Sequence, residues 1–467
     1  MTPAVATLVC TIGILGLFWL DREPKARTSV ALWIPAVWLS FVCSRSVSEW
    51  MEVGTPVRSA IQVLDGSPLD RLVFSCLLIV GIIVVISRTQ QVGRLLRANG
   101  PILLFFLYCA VSILWSDYPG VAFKRWTKAV GDLVMVLIVL TDPEPLVAFR
   151  RLLARLAYVL IPLSILFIKY YPSLGMYYSP WGGPGMPTGI TSNKNKLGAI
   201  CLCLGLGALW RFLTAYQDPD RTGQTRRQVA QVIILMMVFW LLWIANSMTS
   251  LSCLLMASAL LLVTNFRAVV RRPAVVHLLI VSMLAVSASV LFVGVSPDTL
   301  AAMGRDPTLT DRTKVWGSLF NLVQNPLWGT GFESYWLGPR LEKLWSVYWW
   351  RPSEAHNGYI EVYLNLGWIG VILLALVLVT GYRKVIAAYR RKMPLATLAL
   401  AYFLVGLAYN FTEAAFFRML TPVWVFLLFA IVHASTYSDH EIKASAQNMR
   451  QQGGIYREDL KADLVLR

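Results

Sequence analysis

The stretch GYIEVYLNLGWIGVILLALVLVT, residues 358–380, decides the fold. It holds 23 residues and a single charge, Glu361, near its start. About 20 mostly apolar residues are enough to cross a bilayer as a helix, and about 17 can suffice. Twelve further apolar runs resemble it: 4–20, 28–44, 70–87, 101–116, 127–141, 152–169, 197–214, 229–245, 250–266, 275–295, 394–411 and 419–435. The pair around 229–266 is parted only by the turn Asn246–Thr249, so the count is 12 or 13. These runs are continuous, whereas strands of a membrane barrel alternate in roughly ten-residue pieces. Backbone groups in lipid must be satisfied within their own segment, so helices follow. The sequence therefore predicts an all-α polytopic membrane protein of about 12–13 transmembrane helices.

Composition agrees. Of 467 residues, 57% are hydrophobic and 14% charged, against about 25% charged in soluble chains. Eighteen Trp and 20 Phe exclude a disordered or fibrous chain. The net charge of +17 would suggest nucleic acid in a soluble protein. Here it reflects Lys and Arg in alternate short loops facing anionic lipid, so no nucleic-acid partner is expected. The seven cysteines lie in apolar runs and lack metal-ligand spacing. They read as small buried hydrophobes. The run Ala4–Leu20 has no basic start and no obvious cleavage site, and reads as a retained span.

The basic loops set the orientation. Arg88, Arg94 and Arg97, then Arg150 and Arg151, then Arg226 and Arg227, then Arg390, Arg391 and Lys392 fall on one side, read as cytoplasmic together with the tail 436–467. The other face receives three polar segments: 117–126, 170–196 and the long loop 296–357. Loops beyond about 15 residues are usually functional. This loop has a helix-like stretch, Asp311–Val323, and six tryptophans, Trp316, Trp328, Trp336, Trp345, Trp349 and Trp350, that suit a lid at the membrane interface. The organisation expected is N-terminal helices over 1–116, a membrane domain over 117–435 that includes loop 296–357, and a cytoplasmic tail over 436–467.

Four places can carry chemistry. Of the four histidines, His277 and His433 sit at span ends and His440 in the tail, where solvated or snorkelling side chains are expected. His356 lies in EAHNGYIEV, at the end of the long loop. A neutral imidazole can take a proton from a hydroxyl, and Glu354 and Glu361 are near enough in sequence to orient it; a helix-capping or interface histidine is the bland alternative. In GRDPTLTDRTKVW, 304–316, Thr310 and Asp311 are placed to cap a helix. Arg312 in its first turn is unfavourable for the helix dipole unless an anion binds there; Arg305 is a second candidate. In TGITSNKNKLG, 188–198, Asn193, Lys194, Asn195 and Lys196 can hold phosphate or sugar hydroxyls, or merely anchor a helix start. In FKRWTK, 123–128, Lys124 and Arg125 read first as headgroup anchors and second as part of an anion site. Asp132, inside a span, requires a partner or a polar cavity. No P-loop, no dinucleotide motif and no acidic metal pair appears, so no cofactor and no metal site is expected.

Taken together, FKRW, TSNKNKLG, GRDPTLTDRTKVW, NPLWGTGFESYW and EAHNGYIEVYLNLGWIG span roughly 120–370. In them the chain resembles the O-antigen ligase and O-antigen polymerase superfamily of membrane glycosyltransferases, nearest its ExoQ-like exopolysaccharide-polymerase branch. The resemblance implies a GT-C-like membrane enzyme with its site on the periplasmic face of the inner membrane. It implies an undecaprenyl-type polyprenyl-diphosphate-linked oligosaccharide as donor, a hydroxyl of an acceptor glycan as nucleophile, and no metal. It also allows a chain-length regulator as partner. His356 would be the general base or the group that positions the acceptor, and Arg312 would bind the donor diphosphate. Arg305, Asn193, Lys194, Asn195, Lys196, Arg125 and Glu354 remain as substrate-binding candidates. One position departs from the pattern: Met248, in NSMTSLS, stands where many ligase-type members have arginine. Polymerase, ligase and, from another class, transporter of the lipid-linked glycan are the readings to be separated. Against the transporter stand the missing inverted repeat and polar residues gathered on one face instead of the midplane.

Overall fold

A computed structural model describes residues 1–23, 27–51, 67–178, 185–217, 223–266, 269, 272–292, 308–418 and 421–435. Among them all thirteen apolar runs are helical. In chain order the helices are α1 Pro3–Leu20, α2 Trp33–Val42, α3 Val47–Met51, α4 Pro68–Ser87, α5 Thr89–Ala98, α6 Gly100–Val111, α7 Pro119–Leu140, α8 Pro145–Tyr170 and α9 Pro172–Gly175. They continue with α10 Lys194–Gln217, α11 Gln224–Ala245, α12 Met248–Val263, α13 Pro273–Phe292, α14 Thr308–Asn321, α15 Gly338–Val347, α16 Gly358–Arg390, α17 Ala396–Tyr409 and α18 Pro422–His433. A two-residue ribbon, Met176–Tyr177 against Met186–Pro187, is the sheet structure described.

Six helices are long and apolar enough to cross a membrane alone: α1, α4, α8, α10, α11 and α16. Helix α5 and the apolar stretch 100–115 make a seventh candidate, bent by 89°. Five further apolar helices are shorter, between 10 and 17 residues. Helix α7 is long, but Lys124, Arg125, Lys128 and Asp132 interrupt it. The outermost helices turn apolar side chains outward, as Leu8, Ile12 and Leu15 of α1 and Ile79, Ile83 and Ile86 of α4 do. All twelve residues of α18 are buried, so it runs through the centre of the bundle.

Asp132 has the partner its position demanded. The Trp38 indole donates to it at 2.8 Å, and both residues are buried. Gly131 permits this, because a Cβ there would lie 2.2 Å from the Trp38 ring. Five cysteines are buried as expected, but Cys10 is half-buried and Cys76 exposed on its helix surface. His433 is buried, not solvated, since α18 is central. His277 is held by the Tyr382 hydroxyl at 2.5 Å. His440 and the tail lie outside the described residues.

Helix α16 is broken at Gly367, whose φ of 63° and ψ of −165° are open only to glycine. The NPLWGTG loop fills the break. Trp368 and Ile369 N–H groups donate to the carbonyls of Pro326 and Leu327, at 2.9 and 3.1 Å. The Leu364 and Asn365 carbonyls accept from Thr330 and Gly331, at 3.3 and 2.8 Å. The orphaned backbone groups of both half-helices are thus satisfied by one loop. Asn325 shapes it, its side chain accepting from the Leu327 and Trp328 N–H groups. A Cβ at residue 367 would meet the Leu327 oxygen at 2.3 Å. Gly367→Ala is expected to cost at least the ~1–3 kcal/mol of a forbidden backbone conformation, read as a drop of several degrees in the melting temperature of the detergent-purified protein. An unchanged melting temperature would show that this loop does not hold the break.

The segment between α14 and α16 has a small core of its own, apart from the main one. Val315, Leu319, Tyr335, Leu341, Leu344 and Ala355 are buried together there. Helix α14 covers most of the expected Asp311–Val323 stretch. Thr310 and Asp311 fall inside it, since the helix begins at Thr308. Of the six tryptophans, Trp349 is exposed to 66%, as a lid at an interface would be, but Trp336 is buried at 9%. The indole of Trp336 donates to Glu361, which explains its inward position.

Candidate functional site

His356 stands one residue before the cap of α16. Asn357 accepts the N–H groups of Tyr359 and Ile360 through its side-chain oxygen, each at 3.0 Å, and so caps the helix. Its amide donates to the Phe411 carbonyl at 3.0 Å. Gly358 donates its N–H to the Asn410 carbonyl at 2.9 Å. A Cβ on Gly358 would lie 1.9 Å from the Asn410 side-chain oxygen, so glycine is required for the approach. Asn410 in turn accepts from the Ala415 and Phe416 N–H groups. Two turns, 355–358 and 410–416, are stitched together by this exchange. The stitching brings Glu413 and Arg418 to His356.

The His356 Nδ1 lies 3.2 Å from a Glu354 oxygen and 3.2 Å from a Glu413 oxygen. With two carboxylates on Nδ1, that nitrogen is assigned the hydrogen and Nε2 the lone pair. The imidazole is 36% exposed, so it stands at a surface. Its φ of 50° places it in the left-handed region, where non-glycine residues are uncommon. Glu333 and Phe417 nearby share that conformation, with φ of 51° and 54°. Such strain persists where surrounding contacts over-determine it, and it clusters at functional sites.

The other oxygen of Glu413 accepts from the Asn195 amide at 3.1 Å. The other oxygen of Glu354 pairs with Arg418. Burial works against the Arg418 charge, but Glu354 beside it, with Glu361 and Glu333, more than offsets this and holds the guanidinium above the ordinary arginine range. Arg125 donates to the Glu333 carbonyl, and its guanidinium lies 3.9 Å from the Glu333 carboxylate. Arg418, Glu333, Trp336 and Glu361 line one cleft with Phe416 and Phe417. A Glu354 oxygen, a His356 nitrogen and a Glu413 oxygen all fall within 4.8 Å of one another, a donor set able to take a divalent cation. Arg418 and Asn195 already engage those two carboxylates.

The sequence-predicted residues divide. His356, Glu354, Asn195 and Arg125 meet in this network. The Arg125 side chain is 17% exposed and turned to Glu333. Glu361 does not orient His356. It accepts the Ala355 N–H at 2.5 Å and the Trp336 indole, and thus fixes the backbone just before the histidine. Asn193 caps α10, its side chain accepting the Lys196 N–H at 2.8 Å. Lys196 lies in the field of Glu49 and Arg45. Lys194 opens α10. Arg312 falls at the fifth residue of α14, beyond its first turn. One turn further along, the Trp316 indole donates to the Ala355 carbonyl at 2.8 Å, which ties this helix to the His356 turn. Arg305 lies outside the described residues. Met248 begins α12 and is 42% exposed.

Residues 222–375 match a family model described as O-antigen ligase. The chain is also 27% identical over 292 residues to the exopolysaccharide production protein ExoQ of Rhizobium meliloti (strain 1021). Over these residues the chain is similar to the O-antigen ligase family and to an exopolysaccharide production protein. The alignment with the ExoQ relative covers 60% of this chain and 64% of the relative, so the chain spans somewhat less than two thirds of that protein's length. The O-antigen ligase match contains Arg312, Glu354, His356 and Gly358, but not Arg125, Asn195, Glu413 or Arg418. Sequence reasoning missed Glu413 and Arg418 altogether. The signal for them was legible: two opposite charges in FTEAAFFRML, 411–420, between apolar runs, where ionisable residues are costly and need a use.

Proposed function

We propose that this chain is a membrane glycosyltransferase of surface-polysaccharide assembly, joining oligosaccharide repeat units from a polyprenyl-diphosphate donor to a hydroxyl of an acceptor glycan. The observation that carries the reading is His356 Nδ1 held between Glu354 and Glu413, with Arg418 and Arg125 in the same network. Nε2 of His356 accepts the proton of the acceptor hydroxyl as its oxygen attacks the anomeric carbon. The bond from that carbon to the diphosphate oxygen breaks, and the electron pair leaves with the lipid diphosphate. Charge grows on the leaving group, so a cation there stabilises the transition state more than the ground state.

Arg418 and Arg125 are the cations that answer for the arginine replaced by Met248. Arg312 is assigned to the diphosphate by the family resemblance. Arg312→Ala should lose more activity than Arg312→Lys, because a guanidinium grips phosphate as a fork and an ammonium as a point charge. Equal losses would remove the fork. No step is routed through a metal, so EDTA should leave the rate unchanged. The reading keeps the organisation given above: site on the periplasmic face of the inner membrane, tail 436–467 in the cytoplasm.

The test is reconstitution with a polyprenyl-diphosphate-linked repeat unit and no other acceptor. A ladder of products means that one donor serves as acceptor for the next, hence a polymerase. A single product formed only with lipid A core means a ligase. Glycan that crosses the bilayer with no new bond would sink the enzyme reading. The ExoQ relative, an exopolysaccharide production protein, favours the polymerase.

A further inference from the structure

Between the first half of α16 and the 410–418 turn lies the cleft lined by Phe332, Glu333, Trp336, Glu361, Phe416 and Arg418, a space of about 400 Å³. The loop GTGFES, 329–334, brings Glu333 to it. On either side of Glu333 the chain is pinned. The Phe332 N–H donates to the Ser112 hydroxyl at 3.0 Å, and the Ser334 N–H donates to the Asn365 side-chain oxygen at 2.9 Å. The Ser334 and Ser116 hydroxyls share a hydrogen bond at 2.7 Å. Three residues of this loop take the left-handed region: Gly329, Gly331 and Glu333, with φ of 69°, 95° and 51°. Glycine does so without steric cost. At 333 the chain keeps a side chain where glycine would be less strained.

That side chain is 20% exposed, and among the described residues its carboxylate accepts no hydrogen bond. Arg125 spends its guanidinium on the Glu333 carbonyl and stands 3.9 Å from the carboxylate. Arg418 lies in the field of Arg125, Glu333 and Glu361 alike. The cleft thus sets carboxylates beside guanidiniums. An anion there meets Glu333 and Glu361, and a cation meets Arg418. An acyl chain would strip water from charges and return nothing. A neutral polyol suits both signs, because a hydroxyl donates to a carboxylate and accepts from a guanidinium. Phe332, Trp336, Phe416 and Phe417 supply apolar wall for the C–H faces of a sugar ring.

We infer that this cleft is the subsite for the sugar bonded to the donor diphosphate, and that Glu333 accepts a hydrogen bond from a hydroxyl of that sugar. The inference rests on the proposed reaction, in which Arg418 and Arg125 hold the diphosphate: the sugar attached to it takes the space beside them. Glu361 is committed to the Trp336 indole and the Ala355 N–H, so Glu333 is the carboxylate left to receive the hydroxyl. The subsite therefore selects. A sugar that is deoxygenated or acylated at that position leaves the Glu333 carboxylate unpaired, and a site built for a hydroxyl rejects the analogue without it.

The test measures binding of three probes to the purified full chain in detergent: the lipid-linked repeat unit, undecaprenyl diphosphate carrying no sugar, and the oligosaccharide freed from the first by mild acid. Glu333→Gln keeps the side-chain shape and the carbonyl that Arg125 grips, and removes the charge. It is expected to weaken the lipid-linked unit relative to the sugar-free lipid by about tenfold or more, the worth of a hydrogen bond to a charged group. The free oligosaccharide should weaken in the same proportion. Glu333→Asp keeps a carboxylate and suits left-handed backbone better, so it should recover part of the loss and shows the effect even if the glutamine variant folds poorly. If Glu333 merely balances Arg125, the glutamine variant will bind both lipids more tightly by one factor and the oligosaccharide as wild type does; that result overturns the inference. Wild-type preference for the lipid-linked unit over the sugar-free lipid in the glutamine variant overturns it too. Failure of the proposed reaction looks different: oligosaccharide binding that depends on Glu333, with no product formed, upholds the subsite and sinks the glycosyltransferase reading.

Discussion

Replacing His356 by asparagine is expected to lower turnover of the lipid-linked substrate by about 10²- to 10⁴-fold, the range for a lost general base. Asparagine is the informative choice, because it tolerates the left-handed backbone that His356 adopts. The turn stitched by Asn357, Gly358 and Asn410 should therefore persist, and protein yield and melting temperature should stay at the wild-type level. Alanine at the same position should lose as much activity, with a small additional loss of stability from backbone strain. Turnover within twofold of wild type in the asparagine variant would take His356 out of the reaction. A defect confined to the alanine variant would assign it to the turn.

The second large effect is expected at Arg418. Its guanidinium holds Glu354 and lies in the field of Glu361 and Glu333. Arg418→Ala should reduce turnover by about 10²- to 10³-fold, as losing one preorganised charge does elsewhere. It should also lower the melting temperature, because the partly buried Glu354 carboxylate loses its counter-ion. Glu354→Gln in the same chain separates the two effects. The double variant should recover melting temperature but not turnover. Recovery of both would make Arg418 a counter-ion only, with no part in holding the diphosphate.

Much of this was readable from the residues. The continuous apolar runs located the apolar helices, because lipid leaves the backbone no alternative to helix, but not the amphipathic α5, Thr89–Ala98. His356 was visible as a histidine between acidic residues at the end of a long loop. What escaped the sequence came from distance along the chain. Glu413 lies 57 residues from His356, and Asn195 lies 218 from Glu413. No local spacing links them; only the packing of α10 and α17 with their neighbours does. Glu361 misled for the complementary reason. It is five residues from His356, but the capped turn at Asn357 aims it at Trp336 and Ala355 instead. The break in α16 was hidden because glycine within an apolar run is common in membrane helices, and only φ at Gly367 reveals it.

The small core around Leu319, Tyr335 and Leu344 has a consequence of its own. Leu364 of α16 belongs to the same core, and the Trp336 indole reaches Glu361 of that helix. Glu361 in turn holds the Ala355 N–H, one residue before His356. A substitution that shifts this small core is therefore felt at the His356 backbone, two hydrogen bonds away through Trp336 and Glu361.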